Sequence, residues 1–172
     1  MNLLDKKTLC HVFSFTYRTM IASVPLLEFA IPKSDGVLRA YYEQHVSEER
    51  GHDEMLKDDL LRLGVEEIPA YHEAAQIAGS QYYLIAHDHP ALLLGYMHAL
   101  EMESLPLDAV DALCVHHGVE LKALRHHATH DPNHNRDIER MISSLDTGLR
   151  DRVNWNERNV TKAFTEAFSH DQ

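Results

Sequence analysis

Two segments of the chain spell the same pattern of metal-ligand types: His45, Glu49 and His52 in one, His127, Asp131 and His134 in the other. Each is a histidine, an acid four residues on, and a histidine three residues after that. At about 100° per residue, the three side chains of either set fall within an arc of about 60° on an α-helix. Imidazole, carboxylate and imidazole can then aim at one point, which is how a helix presents ligands to an ion. Between the two sets, the apolar stretch PALLLGYMHALEMES (90–104) contains Glu101. A carboxylate in such a setting needs a partner. Either His98, one turn earlier, hydrogen-bonds it, or Glu101 is a further ligand that bridges two ions.

Other acids and histidines fit the pattern less well. Glu28, in PLLEFAIP, is a weaker candidate because it can face water at a helix end, and Glu48, Asp53 and Glu54 point away from the first set and are expected to be solvated. His130 lies on nearly the same face as the second set and is given a supporting or surface role, while His126 points about 100° away from His127. His116 and His117 precede Gly118 at a helix end, where the helix dipole favours them. Tyr82, Tyr83, Tyr96 and Met97 either fill the core or line a pocket. Three carboxylates and four imidazoles carry a charge of about −3, suited to one or two divalent ions with positions left open for dioxygen or substrate. Fe(II) is the preferred ion, and manganese and zinc are the alternatives. No GxSxG, P-loop, GxGxxG or Cys-rich zinc signature competes with this reading.

The positioning elements read as helices. Segments between Pro and Gly repeat their apolar residues at three and four, with no sustained period-two alternation. Helices are expected at about 5–31, kinked at Pro25, and at about 34–64, carrying the whole first ligand set. Pro69, Pro90 and Pro106 then open helices to about 87, 103 and 117. A short helix ends near His130, Asp131 and Pro132 open another to about Thr147, and a last helix reaches about His170, so the second ligand set spans a break. About seven to eight helices in a 172-residue chain with 44% hydrophobic residues make one all-α bundle, a single domain over 1–172.

A formal net charge of −11 repels phosphate backbones and anionic lipid, leaving a small-molecule substrate and protein partners. No run approaches the roughly 20 apolar residues of a membrane span. Cys10 and Cys114 are far apart with no CxxC, and no secretory leader pattern is present, which together favour the cytoplasm.

The HxxxExxH running into DEMLKDDLLRLG, the segment HPALLLGYMHALE and the later HxxxDxxH resemble the heme-oxygenase-like di-metal oxygenases and oxidases, a superfamily that shares its fold with heme oxygenase and thiaminase II. The resemblance spans about Tyr41 to His134. It implies an all-α heme-oxygenase-like bundle with two irons held by Glu49 and His52, by Glu101, and by His127, Asp131 and His134. His45 falls where some members place another carboxylate, and the first helix lacks the family's well-placed glutamate. The implied activity is that of a non-heme diiron oxygenase or oxidase using O2 to oxidise an amino-acid-derived or fatty substrate, as in natural-product biosynthesis. A homodimer and an external electron donor are compatible with it. Two alternatives remain: a heme-binding or heme-degrading protein of the same fold, for which His11 is the candidate proximal ligand, and a non-catalytic metal-binding protein.

Overall fold

The computed structural model describes residues 2–102 and 105–169, except the side chains at 130–133 and 169. Among these residues the regular structure is helical, with no strand. The elements are α1 (Lys6–Met20), α2 (Ser23–Ala30), α3 (Gly36–Glu49), α4 (His52–Arg62), α5 (His72–His87), α6 (Leu93–Glu101), α7 (Leu107–His117), α8 (Lys122–Ser144) and α9 (Thr147–Ser169). Helix α6, buried along most of its length, packs against both α8 and α9, while α1 lies on α4 and α5, α2 on α3, and α4 on α8.

Two expected helices are divided. The first breaks at Ile21–Ala22, before Pro25; the proline sits in the first turn of α2, where its missing N–H has no helical acceptor to lose. The second breaks inside the first ligand set. Arg50 leaves the helix in extended geometry (φ −62°, ψ 121°) and Gly51 turns left-handed at φ 92°, a conformation that costs little only without a Cβ. Asp53 and Glu54 then supply the negative charge that suits a new N-terminus.

The break expected at Asp131–Pro132 is absent. Helix α8 runs through it, so the second ligand set, and not the first, lies on one unbroken helix. A proline inside a helix costs about 3 kcal/mol. Tertiary packing repays this through Leu121 and Ala123 at one end of α8 and Ile138, Met141 and Ile142 at the other, all buried. Asp59 of α4, fully buried, accepts a hydrogen bond from the Ala123 amide at 2.7 Å and one from Arg62 Nη1 at 2.7 Å. A side chain of α4 thereby caps α8, whose own N-cap position makes no side-chain cap. Pro69 opens nothing either. Helix α5 starts at His72, and Arg18 ties down the residues before it, donating to the carbonyls of Pro69 at 2.8 Å and of Ile68.

The buried apolar residues form two clusters. One is built around Phe15, Leu26, Tyr42, Leu93, Leu94, Tyr96 and Val153, and the other around Leu9, Phe13, Leu56, Leu60, Leu113 and Leu121. A cavity of about 250 Å3 lies between them, with walls from both.

Candidate metal centre

Glu49 ends α3, His52 begins α4 and Glu101 ends α6, so three helix termini meet where α8 passes with His127 and His134. His45, Glu49, His52 and Glu101 are only 3–8% exposed, so each has lost its water and must be compensated inside the protein. Across the Gly51 turn, Glu49 Oε2 stands 3.4 Å from His52 Nδ1, and one turn back on α3, Glu49 Oε1 stands 3.5 Å from His45 Nε2. Opposite them, His134 Nδ1 lies 3.7 Å from Glu101 Oε1. The His52 and His127 rings are 5.0 Å apart and the His45 and His134 rings 5.4 Å, centre to centre, which closes the circle. His45, Glu49 and Glu101 each offer a ligand atom within 4.8 Å of the other two.

The structure therefore brings together six of the seven residues read as ligands from the sequence: His45, Glu49, His52, Glu101, His127 and His134. The side chain of the seventh, Asp131, lies outside the described residues, as does that of His130. Two further residues reach the group. Glu48 Oε2 is 3.4 Å from His45 Nδ1 and 3.9 Å from His134 Nε2, so it faces the centre from the rim and is not simply solvated. The His126 ring is 4.6 Å from His52, nearer than that of His127. The i, i+3 relation of Glu48 to His45 carried the first signal. The His126 contact depends on where α8 sits against α4, which no spacing within α8 encodes.

The neighbouring candidates sort differently. His98 does not hold Glu101: its Nδ1 lies 3.0 Å from Glu157 Oε1 on α9. Glu28 forms an exposed ion pair with Arg50 at 2.7 Å, away from the centre. His11 Nδ1 is 3.2 Å from the Tyr71 hydroxyl. His116 and His117 bring their Nε2 atoms to the carbonyls of Leu4 (2.9 Å) and Leu3 (3.0 Å), tying the N-terminal residues to α7. Tyr82 and Tyr83 are exposed, whereas Tyr96 and Met97 line the cavity.

Electrostatically the site is graded. Burial raises the pKa of Glu49 most strongly, yet the His52 and His45 imidazoles outweigh it and hold the carboxyl below its usual range. Burial also dominates at His45, where it outweighs the pull of Glu49 and keeps the ring neutral, with a lone pair to donate. At His134 the Glu101 carboxylate prevails over burial, with help from Glu48 and Glu49, and raises the pKa to about 9. Glu49 Oε1, His52 Nδ1 and His134 Nδ1 are buried and make no hydrogen bond among the described residues. Nitrogen and oxygen donors turned inward on one another in this way match what a divalent first-row ion requires. Four of the residues, His45, Glu49, Glu101 and His127, also border the cavity, so a bound ion would face it.

Residues 11–154 match the model of a family described as iron-containing redox enzymes, and the chain belongs to that family. The fold is heme-oxygenase-like. A crystal structure of a domain of unknown function with a heme oxygenase-like fold from Shewanella denitrificans OS217 superposes with a TM-score of 0.78 at 18% identity, over 97% of this chain and 80% of that one. No curated protein sequence matches. Among the described residues no helix is long and apolar enough to cross a membrane.

Proposed function

We propose that the chain is a non-heme iron oxygenase or oxidase with two ferrous ions per molecule and dioxygen as co-substrate. The observation that carries this reading is the convergence of buried His45, Glu49 and Glu101 at the wall of an apolar cavity, with His127 beside them. His45, Glu49 and His52 would hold iron from the α3–α4 side, and His127, Asp131 and His134 from α8. Glu101, at the end of α6, would hold iron from a third side. Bound ferrous iron supplies the reduction of dioxygen and the oxidation of a substrate bond. The protein's share is positional. Glu48, next to His45 and His134, orients both rings, and the cavity's apolar walls exclude water from the reacting end of the substrate. Electrons beyond those of the substrate would come from an external donor.

Anaerobic titration of tag-free protein with ferrous iron tests the assignment. About two ions should be retained per chain, and exposure to air should then give a transient visible absorption. Tight stoichiometric binding of heme, with a Soret band and no retention of free ferrous iron, would replace this reading with the heme-binding one.

A further inference from the structure

Helix α8 carries the second ligand set, and its hydrogen-bond ladder is weakened in the middle of that set. Pro132 has no N–H to give the Ala128 carbonyl, so a rung is lost between His127 and His134. The two halves of α8 can then turn and slide more independently than those of an intact ladder. Each histidine needs a fixed point of its own.

Each half has one, a side-chain-to-backbone hydrogen bond across a helix interface. In the first half, Asp59 of α4, fully buried, accepts from the Ala123 amide through Oδ2 at 2.7 Å, while its Oδ1 accepts from Arg62. Ala123 lies one turn before His127. Asp59 lies two turns after His52 on the same face of α4, since seven residues return to within about 20°. The bond thus ties the helix of His52 to the helix of His127, and the two rings are 5.0 Å apart. In the second half, Asn135 Nδ2 donates to the Glu101 carbonyl at 3.2 Å. Asn135 follows His134 directly, and its acceptor is the backbone of the residue whose carboxylate lies 3.7 Å from His134 Nδ1.

Apolar contacts between helices are non-directional and tolerate small slips, whereas a hydrogen bond fixes donor against acceptor to a few tenths of an ångström. A fully buried carboxylate is also a costly helix cap unless the exact placement it enforces matters. We infer that Asp59 and Asn135 are positioning residues that act separately: Asp59 holds His127 against His52, Asn135 holds His134 against Glu101, and each governs the ion on its own side of the centre. The effect on the ions rests on the iron reading above; the two hydrogen bonds do not.

Anaerobic calorimetric titration of ferrous iron into tag-free protein, read as two binding steps, tests this with Asp59→Leu and Asn135→Ala. Each should weaken one ion by about 10- to 100-fold and leave the other within about threefold of wild type, and the two together should weaken both. Asp59→Asn keeps an oxygen for the Ala123 amide and should bind both ions within about threefold of wild type. Leu60→Ala, at a fully buried apolar neighbour on α4, should lower stability in chemical denaturation and leave both ions as they were. In metal-free protein, the Ala123 amide should exchange with solvent at least about tenfold faster in Asp59→Leu than in wild type. Both ions weakened alike by either single substitution, or Leu60→Ala weakening them as much, would overturn the inference. If Asp59→Leu does not fold, Asn135→Ala, at a half-buried position, decides by the same criterion. Faster exchange at Ala123 together with a wild type that retains no iron would refute the iron reading and support the tie between α4 and α8. Two irons held at wild-type affinity in both variants would refute the positioning and leave the iron reading standing.

Discussion

His134 and His45 face the same group of carboxylates yet hold opposite charge states in the metal-free protein. The Glu101 carboxylate raises His134 to a pKa of about 9, while burial lowers that of His45. A histidine whose pKa is raised on folding contributes stability that is complete below its unfolded value of about 6.5 and is lost as the pH climbs through its folded value. For His134 that window runs from about 6.5 to about 9. As a proposed ligand His134 must be neutral, so this proton would have to leave on iron binding, and ferrous affinity should grow with pH across the same interval. NMR titration of metal-free protein should place one histidine near pH 9, and Glu101→Gln should return it towards 6.5; no such resonance in the wild type would refute the pairing. His45 makes the second test at this scale. Buried against Glu49 and Glu48, and stacked on Tyr41 at 5.7 Å, it is neutral and keeps a lone pair for the second ion proposed above. His45→Ala should retain about one iron per chain and lose oxygen consumption. Two irons in that variant, at wild-type affinity, would show that His45 is no ligand. Both ligand patterns and Glu101 were legible from residue types and spacing, because a helix period turns spacing into direction. The partners of Glu101 were not, since His134 and not His98 reaches it, across a helix interface that local sequence does not describe.

At the scale of elements, the breaks fell in the opposite places from those that local rules suggest. By local rules the proline at 132 is a helix-start signal, but α8 is held by burial on both sides of it and capped by Asp59 from another helix. The helix expected over about 34–64 is divided at Gly51, where a left-handed Gly followed by Asp53 and Glu54 marks a new N-terminus. Helix existence and approximate extent were legible throughout because apolar periodicity integrates over many residues. Breaks rest on one or two residues, and there tertiary contacts decide. Gly51 gives this point a measurable form. Its φ of 92° is disfavoured with any Cβ, while a Cβ there would touch nothing within 4 Å, so Gly51→Ala adds backbone strain alone. Gly64, at φ 88° with equally open surroundings and outside the metal centre, is the matched control. Each alanine variant should lose about 1–2 kcal/mol in chemical denaturation. Only Gly51→Ala should also weaken ferrous binding, by about 10- to 100-fold, because the Gly51 turn sets His52 against Glu49. Equal metal affinity in the two variants would mean that the turn is structural and does not position a ligand.

Across the whole molecule, the site occupies the seam between the two apolar clusters. The proposed ligands come from α3, α4, α6 and α8, and of the contacts that hold these helices together, α4 to α8 and α6 to α8 run beside the site. A cavity and a group of dehydrated charges meet at this seam, which close packing and hydrogen bonding among the described residues do not fully close. An ion held by the proposed ligands would cross-link four helices at this seam. Because it binds the folded chain and finds no assembled site in the unfolded one, it must stabilise by mass action, by about 2.7 kcal/mol at a free concentration a hundred times its Kd. For a chain of this length that corresponds to a rise in Tm of roughly 5–10 °C. Thermal unfolding followed by circular dichroism under anaerobic conditions, with ferrous iron and then with a chelator in excess, measures it. The shift should reverse on chelation and shrink in His52→Ala, which removes a ligand from α4 and so undoes the link between that helix and α8. A Tm that ignores ferrous iron and chelator alike would place the ion, if one binds at all, on the surface and away from this seam.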